Sequence, residues 1–97
     1  MLNFLKECGI KEDTIKNMYN TYEESVLFNL SCNDEECIKI IKHMKQIGII
    51  AIDEILEVYI DIFLNTYNNF IKKISKHDIS KFVEEVNNNI EIIEVLM

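Results

Sequence analysis

The sequence predicts an all-α protein, and three observations lead to that prediction. Proline is absent and glycine occurs only at Gly9 and Gly48, so the turn formers of an all-β fold are missing. Apolar residues recur at intervals of three and four, as on one buried helix face. The segment at residues 4–10 returns weakly at 43–49 and more faintly at 82–88, each time 39 residues on. We therefore expect one all-α domain over residues 1–97, with short helices in about two and a half repeats of roughly 39 residues, or an irregular helical bundle.

The first half of the chain is predicted to contain helices separated by glycine turns. A short helix ends at Cys8, where Gly9 provides a left-handed cap. The next helix has an apolar face that bends or breaks between residues 22 and 30. That face comprises Ile15, Met18, Tyr19, Tyr22 and Val26. Asn33 and Glu36 have the spacing of a capping box at the start of a third helix.

This third helix is amphipathic and is predicted to end at Gly48. Its inward residues are Cys37, Ile40, Ile41 and Met44, and its outward residues are Lys39, Lys42 and Lys45. After it, residues 49–52 are either a short extended connection or apolar packing at the next helix start.

The second half is predicted to begin with a helix that Asp53 caps. Its broad apolar face comprises Ile55, Leu56, Tyr59, Ile60, Ile62 and Phe63, opposite Glu54, Glu57 and Asp61. A polar break at residues 65–69 precedes a helical stripe to Lys76, and Asp78 caps a helix that runs to the asparagines at 87–89. Residues 90–97 fit a strand or a helix, and we favour a helix because a lone strand would have no partner.

The composition limits the classes of partner. Hydrophobic residues make up 48% of the chain, so we expect a folded protein rather than a disordered one. The net charge is −7 and every basic residue is lysine, which disfavours direct binding to nucleic acid or to an anionic membrane surface. Acidity of this kind serves solubility or matches a basic partner.

The cysteines predict reduced thiols and a cytoplasmic location. The first residues do not resemble a secretion signal, and no apolar run is long enough to span a membrane. Cys32 and Cys37 lack the spacing of a zinc or redox pair, and His43 is too isolated to complete a metal site. Cys8 and Cys37 lie on apolar stripes and are expected to pack as small hydrophobic residues.

Parts of the chain resemble a known helical-repeat family. The segments are 4–10, 15–18 and 22–27, and then 41–49, 55–56 and 59–64. They resemble two repeats of the mitochondrial transcription termination factor type, in which a helix, a glycine turn, a second helix and a Pro-x-x-Leu-like segment stack into a curved solenoid. Glu23 and Ile60 stand where that family has proline, and its basic face is missing. The resemblance implies a helical-repeat fold, and we do not extend nucleic-acid binding to this chain.

No residue pattern predicts catalysis, a cofactor or a metal. His43 lies among lysines and is expected at a helix edge, and His77 precedes a helix start as a polar linker residue. Glu54, Glu57 and Asp61 are expected to form a solvated helix face rather than a cation site. We therefore expect a protein that is not an enzyme.

The predicted function is interaction with another protein or self-association. The proposed docking elements are the C-terminal segment and the helix around Tyr59, and the candidate surface comprises Tyr59, Ile60, Phe63, Ile90, Ile93 and Leu96. Three alternatives stay open: an acidic inhibitor that mimics nucleic acid, a nucleic-acid-binding helical repeat, and an enzyme or small-ligand carrier.

Overall fold

The protein is entirely helical, as the sequence predicts. A computed structural model describes all 97 residues and contains eight α-helices, one 3-10 helix and no strand. The elements are α1 Asn3–Glu7, α2 Glu12–Thr21, α3 Glu24–Cys32, α4 Asp34–Ile47, α5 Ile52–Val58, the 3-10 helix Ile60–Leu64, α6 Tyr67–Ile74, α7 Ile79–Asn88 and α8 Ile92–Leu96. Together they form an irregular helical bundle. None of the helices is both long and apolar enough to cross a membrane.

Helix α4 is the centre of this bundle. It packs against α1, α3, α5, the 3-10 helix, α6 and α7. Its buried residues are Cys37, Ile40, Ile41 and Met44, and its three lysines are exposed, which confirms the predicted inward and outward faces. The buried apolar residues form one cluster to which every helix contributes at least one side chain.

Two glycine turns end α1 and α4 in the same way. Gly9 has a φ of 84° and Gly48 a φ of 100°, so both have the left-handed backbone that the sequence predicts. In each turn, the amide after the glycine donates to the carbonyl four residues before the glycine, at 3.1 and 3.0 Å. The two turns thus share one hydrogen-bonding pattern, 39 residues apart. A repeat architecture for the whole chain stays a prediction.

The predicted break in the second helix is confirmed. Helix α2 ends at Thr21 and α3 begins at Glu24, so the chain turns at residues 22–23. The link 49–51 lies outside the helices and is a short connection in which Ile49 is buried and Ile50 is exposed.

The predicted capping box at α4 is wrong. The side chain of Asn33 does not cap α4 but donates through Nδ2 to the carbonyls of Phe63 and Asn65, at 3.0 Å each. The carboxylate of Glu36 accepts the backbone amide of Tyr67 at 3.0 Å. Both side chains satisfy backbone groups at the end of the 3-10 helix and the start of α6, where half-buried polar groups need partners.

Asp53 also caps a different helix from the predicted one. Helix α5 begins at Ile52, and Asp53 makes no capping bond to it. Instead, Oδ2 of Asp53 accepts the amide of Lys11 at 3.0 Å and the hydroxyl of Thr14 at 2.9 Å, at the start of α2. The carboxylate on α5 therefore stabilises the positive end of the neighbouring helix α2.

The predicted continuous helix from Asp53 breaks at Tyr59, whose φ and ψ are −126° and 53°. The 3-10 helix that follows buries both Ile60 and Phe63. Residues three apart lie above one another in a 3-10 helix, whereas the predicted apolar residues span too wide an arc for one straight α-helix. The change of helix type thus brings more of this apolar segment into the core.

The C-terminal third agrees with the predictions more closely. Oδ1 of Asp78 accepts the amide of Lys81 at 3.3 Å, which confirms the predicted cap of α7. The polar break before α6 is shorter than predicted, because the hydroxyl of Thr66 caps α6 by accepting the amide of Asn69 at 3.1 Å. The last segment is helical and forms α8, as favoured over a strand.

Candidate docking groove

The six residues of the predicted interaction surface divide into two groups. Ile60, Phe63 and Ile93 are buried in the core, so the expectation that they lie on the surface is wrong. Their apolar spacing indicates core packing here, which sequence alone does not separate from an exposed stripe. Tyr59, Ile90 and Leu96 are half-buried.

The two predicted docking elements meet at one open groove. This groove has a volume of about 280 Å³ and lies between the end of α5, the 3-10 helix, α6 and the end of the chain. Its apolar lining comprises Val58, Tyr59, Ile62 and Met97. Val58 ends α5 with 57% of its surface exposed. Apolar surface is therefore left open to solvent at this place.

Charged side chains form the polar part of the groove lining. Asp61 and Glu94 provide two carboxylates, and Lys73 from α6 provides one ammonium group. The chain has only two ion pairs, Lys6–Glu12 and Lys39–Glu36. The groove carboxylates are thus free of lysine partners within the protein.

Tyr59 is the aromatic residue of this groove. Partial burial, together with the carboxylates of Glu91 and Glu94, raises the pKa of the Tyr59 phenol. The hydroxyls of Tyr22 and Tyr67 bond to other residues of the chain, whereas that of Tyr59 does not. Tyr59 therefore offers a neutral phenol as a free hydrogen-bonding group.

Acidic residues lie on three of the four elements that form the groove, whereas α6 carries Lys72 and Lys73 and no carboxylate. Residues 52–64 contain four carboxylates, residues 91–97 contain two, and neither range contains lysine. In contrast, residues 37–47 of α4 contain three lysines and no carboxylate. The groove thus lies beside acidic segments, whereas α4 is acidic only in its first turn and carries its three lysines after that turn.

The two histidines take part in packing. The ring of His43 meets Tyr67 and Phe70 edge-on with centroids 5.9 Å apart, and the Tyr67 hydroxyl lies 3.3 Å from Nδ1. His77 stacks on Phe82, and its Nε2 donates to the carbonyl of Leu96 at 2.8 Å. Neither histidine is hydrogen-bonded to a serine, threonine or cysteine side chain.

The Asp, Glu, His and Cys side chains do not cluster into a metal site, and the thiols of Cys8 and Cys37 are not activated. No group of three or more His, Cys, Asp or Glu side chains is arranged to hold a metal ion. Burial raises the pKa of the Cys37 thiol to about 12 and raises that of Cys8, so these thiols are disfavoured as thiolates. Cys32 is exposed, and all three cysteines are free.

Of the eight residues that line the groove, the predicted surface included only Tyr59. Among those missed were Val58, Lys73 and Met97, and the two carboxylates of Asp61 and Glu94. One signal was available for Val58, because it is four residues after Glu54 and three before Asp61. An apolar side chain on an otherwise acidic helix face indicates a contact surface. Lys73 and Met97 gave no comparable signal, since only the fold brings α6 and the chain end together.

Comparison with known proteins identifies no relative: no family model, no curated protein and no solved structure matches this chain. The resemblance to mitochondrial transcription termination factor-type repeats stays a prediction.

Proposed function

We propose that this protein is a small protein-interaction module that binds a short segment of a partner protein in the groove beside Tyr59. The observation that carries this proposal is an open, partly apolar groove with Val58 exposed at the end of α5. Apolar surface that lines a groove and is rimmed by polar residues is typical of binding sites.

The size of the groove favours a side-chain contact. Its volume of about 280 Å³ is near the lower end of ligand pockets, which begin at about 300 Å³. Such a space accepts one or two large side chains of a peptide. Short helical or extended segments of partner proteins anchor in helix-lined grooves in this way.

The test is a selection from a displayed random-peptide library on the immobilised full chain. Val58→Gln removes the exposed aliphatic group of the groove, and Phe28→Gln is the matched control, since these residues are 57% and 58% exposed. We expect peptides that bind the wild-type chain and Phe28→Gln equally, and Val58→Gln roughly tenfold more weakly, because one buried aliphatic contact is lost.

The contrary result is a selection in which no peptide distinguishes Val58→Gln from Phe28→Gln. Light scattering addresses self-association in parallel. A wild-type dimer that Val58→Gln dissociates, and Phe28→Gln does not, would place a second copy of the chain in the groove instead of a partner segment.

A further inference from the structure

We infer that the groove accepts a basic segment: an apolar side chain flanked by lysine or arginine. This inference rests on the proposed function, and it adds the chemistry of the partner. Three observations support the inference: the charges around the groove, the free phenol of Tyr59, and the placement of lysines and apolar residues outside the groove.

The charges around the groove are complementary to a basic segment. Asp61 and Glu94 line it, Glu91 lies close enough to Tyr59 to affect its ionisation, and Lys73 is the one cation of the lining. None of these carboxylates is held in an ion pair. A partner cation would therefore find acceptors that are available without breaking an internal contact, and complementary charge would also speed its association.

Tyr59 adds a second feature that suits a cation. Its hydroxyl has no partner in the chain, and it lies in the same lining as both carboxylates. The faces of aromatic rings attract lysine and arginine, more strongly where water is partly excluded. An arginine beside an apolar anchor would combine contacts to the ring and to a carboxylate.

Other occupants match the groove less well. An acidic peptide or nucleic acid would meet like charge on α5, the 3-10 helix and α8. Three of the ten lysines of a second copy lie on α4, where no large apolar side chain is exposed. The lysine face of α4 thus lacks the apolar anchor that the groove would accept, and the light scattering described above tests a second copy that binds through another face.

The first test is the amino-acid composition of the peptides that bind the wild-type chain more tightly than Val58→Gln. We expect lysine or arginine on one or both sides of an apolar residue. The strongest such peptide is then synthesised with its basic residues kept, replaced by glutamine, or replaced by glutamate. Fluorescence anisotropy with the full chain should give decreasing affinity in that order, and the affinity of the basic form should fall as salt rises.

The second test changes the groove. Asp61→Asn and Glu94→Gln should each weaken the basic peptide by about two- to fivefold, the usual range for an exposed ion pair. Lys73→Gln should strengthen it by a similar factor. Glu84→Gln is the matched control, because Glu84 is exposed on α7 and does not line the groove.

The outcomes separate the two proposals. If discriminating peptides carry no basic residues, or if Asp61→Asn and Glu94→Gln bind like Glu84→Gln, the partner chemistry is wrong and the interaction groove stands. If no peptide discriminates Val58→Gln, the groove itself is wrong and this inference fails with it.

Discussion

Helices α4 and α8 differ strongly in length, in the number of buried side chains and in the number of elements they contact. Helix α4 has 14 residues, buries four side chains and packs against six other elements. Helix α8 has 5 residues and buries only Ile93. Its other attachments include α7 and the hydrogen bond from His77 to the carbonyl of Leu96. The fold is therefore organised around α4, whereas α8 lies at its edge.

This difference indicates that stability and binding depend on separate parts of the chain. The groove takes Glu94 from α8 and Met97 from the residue after it, and it takes nothing from α4. Low local stability is common in elements that meet ligands. Changes in α4 should accordingly affect folding, and changes near α8 should affect the groove first.

The largest effect is expected from Met44→Ala in α4. Met44 is fully buried, so truncation removes apolar contacts and leaves a cavity, which costs about 2–5 kcal/mol of unfolding free energy. Urea denaturation followed by circular dichroism measures this change. Lys42→Ala, on the exposed side of α4, is the control and should stay within about 0.5 kcal/mol of wild type. Equal losses for the two variants would contradict the central role of α4.

A smaller effect is expected from Ile93→Ala in α8. Ile93 is also fully buried, but a five-residue helix at the edge can collapse around the missing atoms, so we expect a loss of about 2 kcal/mol. Hydrogen exchange adds a local measurement: amides of α8 should exchange faster in Ile93→Ala, while those of α4 change only with global stability. A uniform increase over both helices would show that α8 does not open independently.

The smallest effect is a loss of stability at alkaline pH, and the buried thiol of Cys37 in α4 is its cause. The thiol has a pKa of about 12 in the folded protein, and in the unfolded chain it returns to about 8.5. Below both values the thiol is neutral in each state. Between them the unfolded state loses its proton first, so stability falls by up to about 1.4 kcal/mol per pH unit.

Urea denaturation at about pH 8 and about pH 9 measures this fall, which amounts to about 0.7 kcal/mol over that interval. Cys37→Ala should be less stable at both pH values but should lose less between them. Cys32→Ala should lose as much as wild type, since Cys32 is exposed. Equal pH dependence in wild type and Cys37→Ala would remove Cys37 as the cause.

Local patterns in the sequence predicted the elements well, because their causes are local. The spacing of Ile40, Ile41 and Met44 defined the inward face of α4, and the freedom of glycine at positive φ placed the turns at Gly9 and Gly48. What failed depends on distant partners. Asn33 and Asp53 were assigned to the nearest helix starts, yet each bonds to a segment at least 30 residues away.

The groove was predicted in part. Tyr59 was named and lines it, but helical spacing could not show that Ile60 and Phe63 turn inward after the chain breaks at Tyr59. The charge of the lining depends on the meeting of Asp61, Lys73 and Glu94, which are far apart in sequence. Only the packing of α6 and α8 beside the 3-10 helix brings these three together.

The long-range caps have a consequence for how the chain folds. Asp53 completes the start of α2, and Asn87 bonds to both Gly48 and Ile50 beyond the end of α4. Isolated helices shorter than about 12–15 residues are marginal in water, and most helices here are shorter. A fragment that stops at Gly48 would lack Asp53, the acceptor at the start of α2, and Asn87, the partner of the Gly48 carbonyl. We therefore expect all the helices to form in a single cooperative step. Neither half of the chain should fold first and then guide the folding of the other.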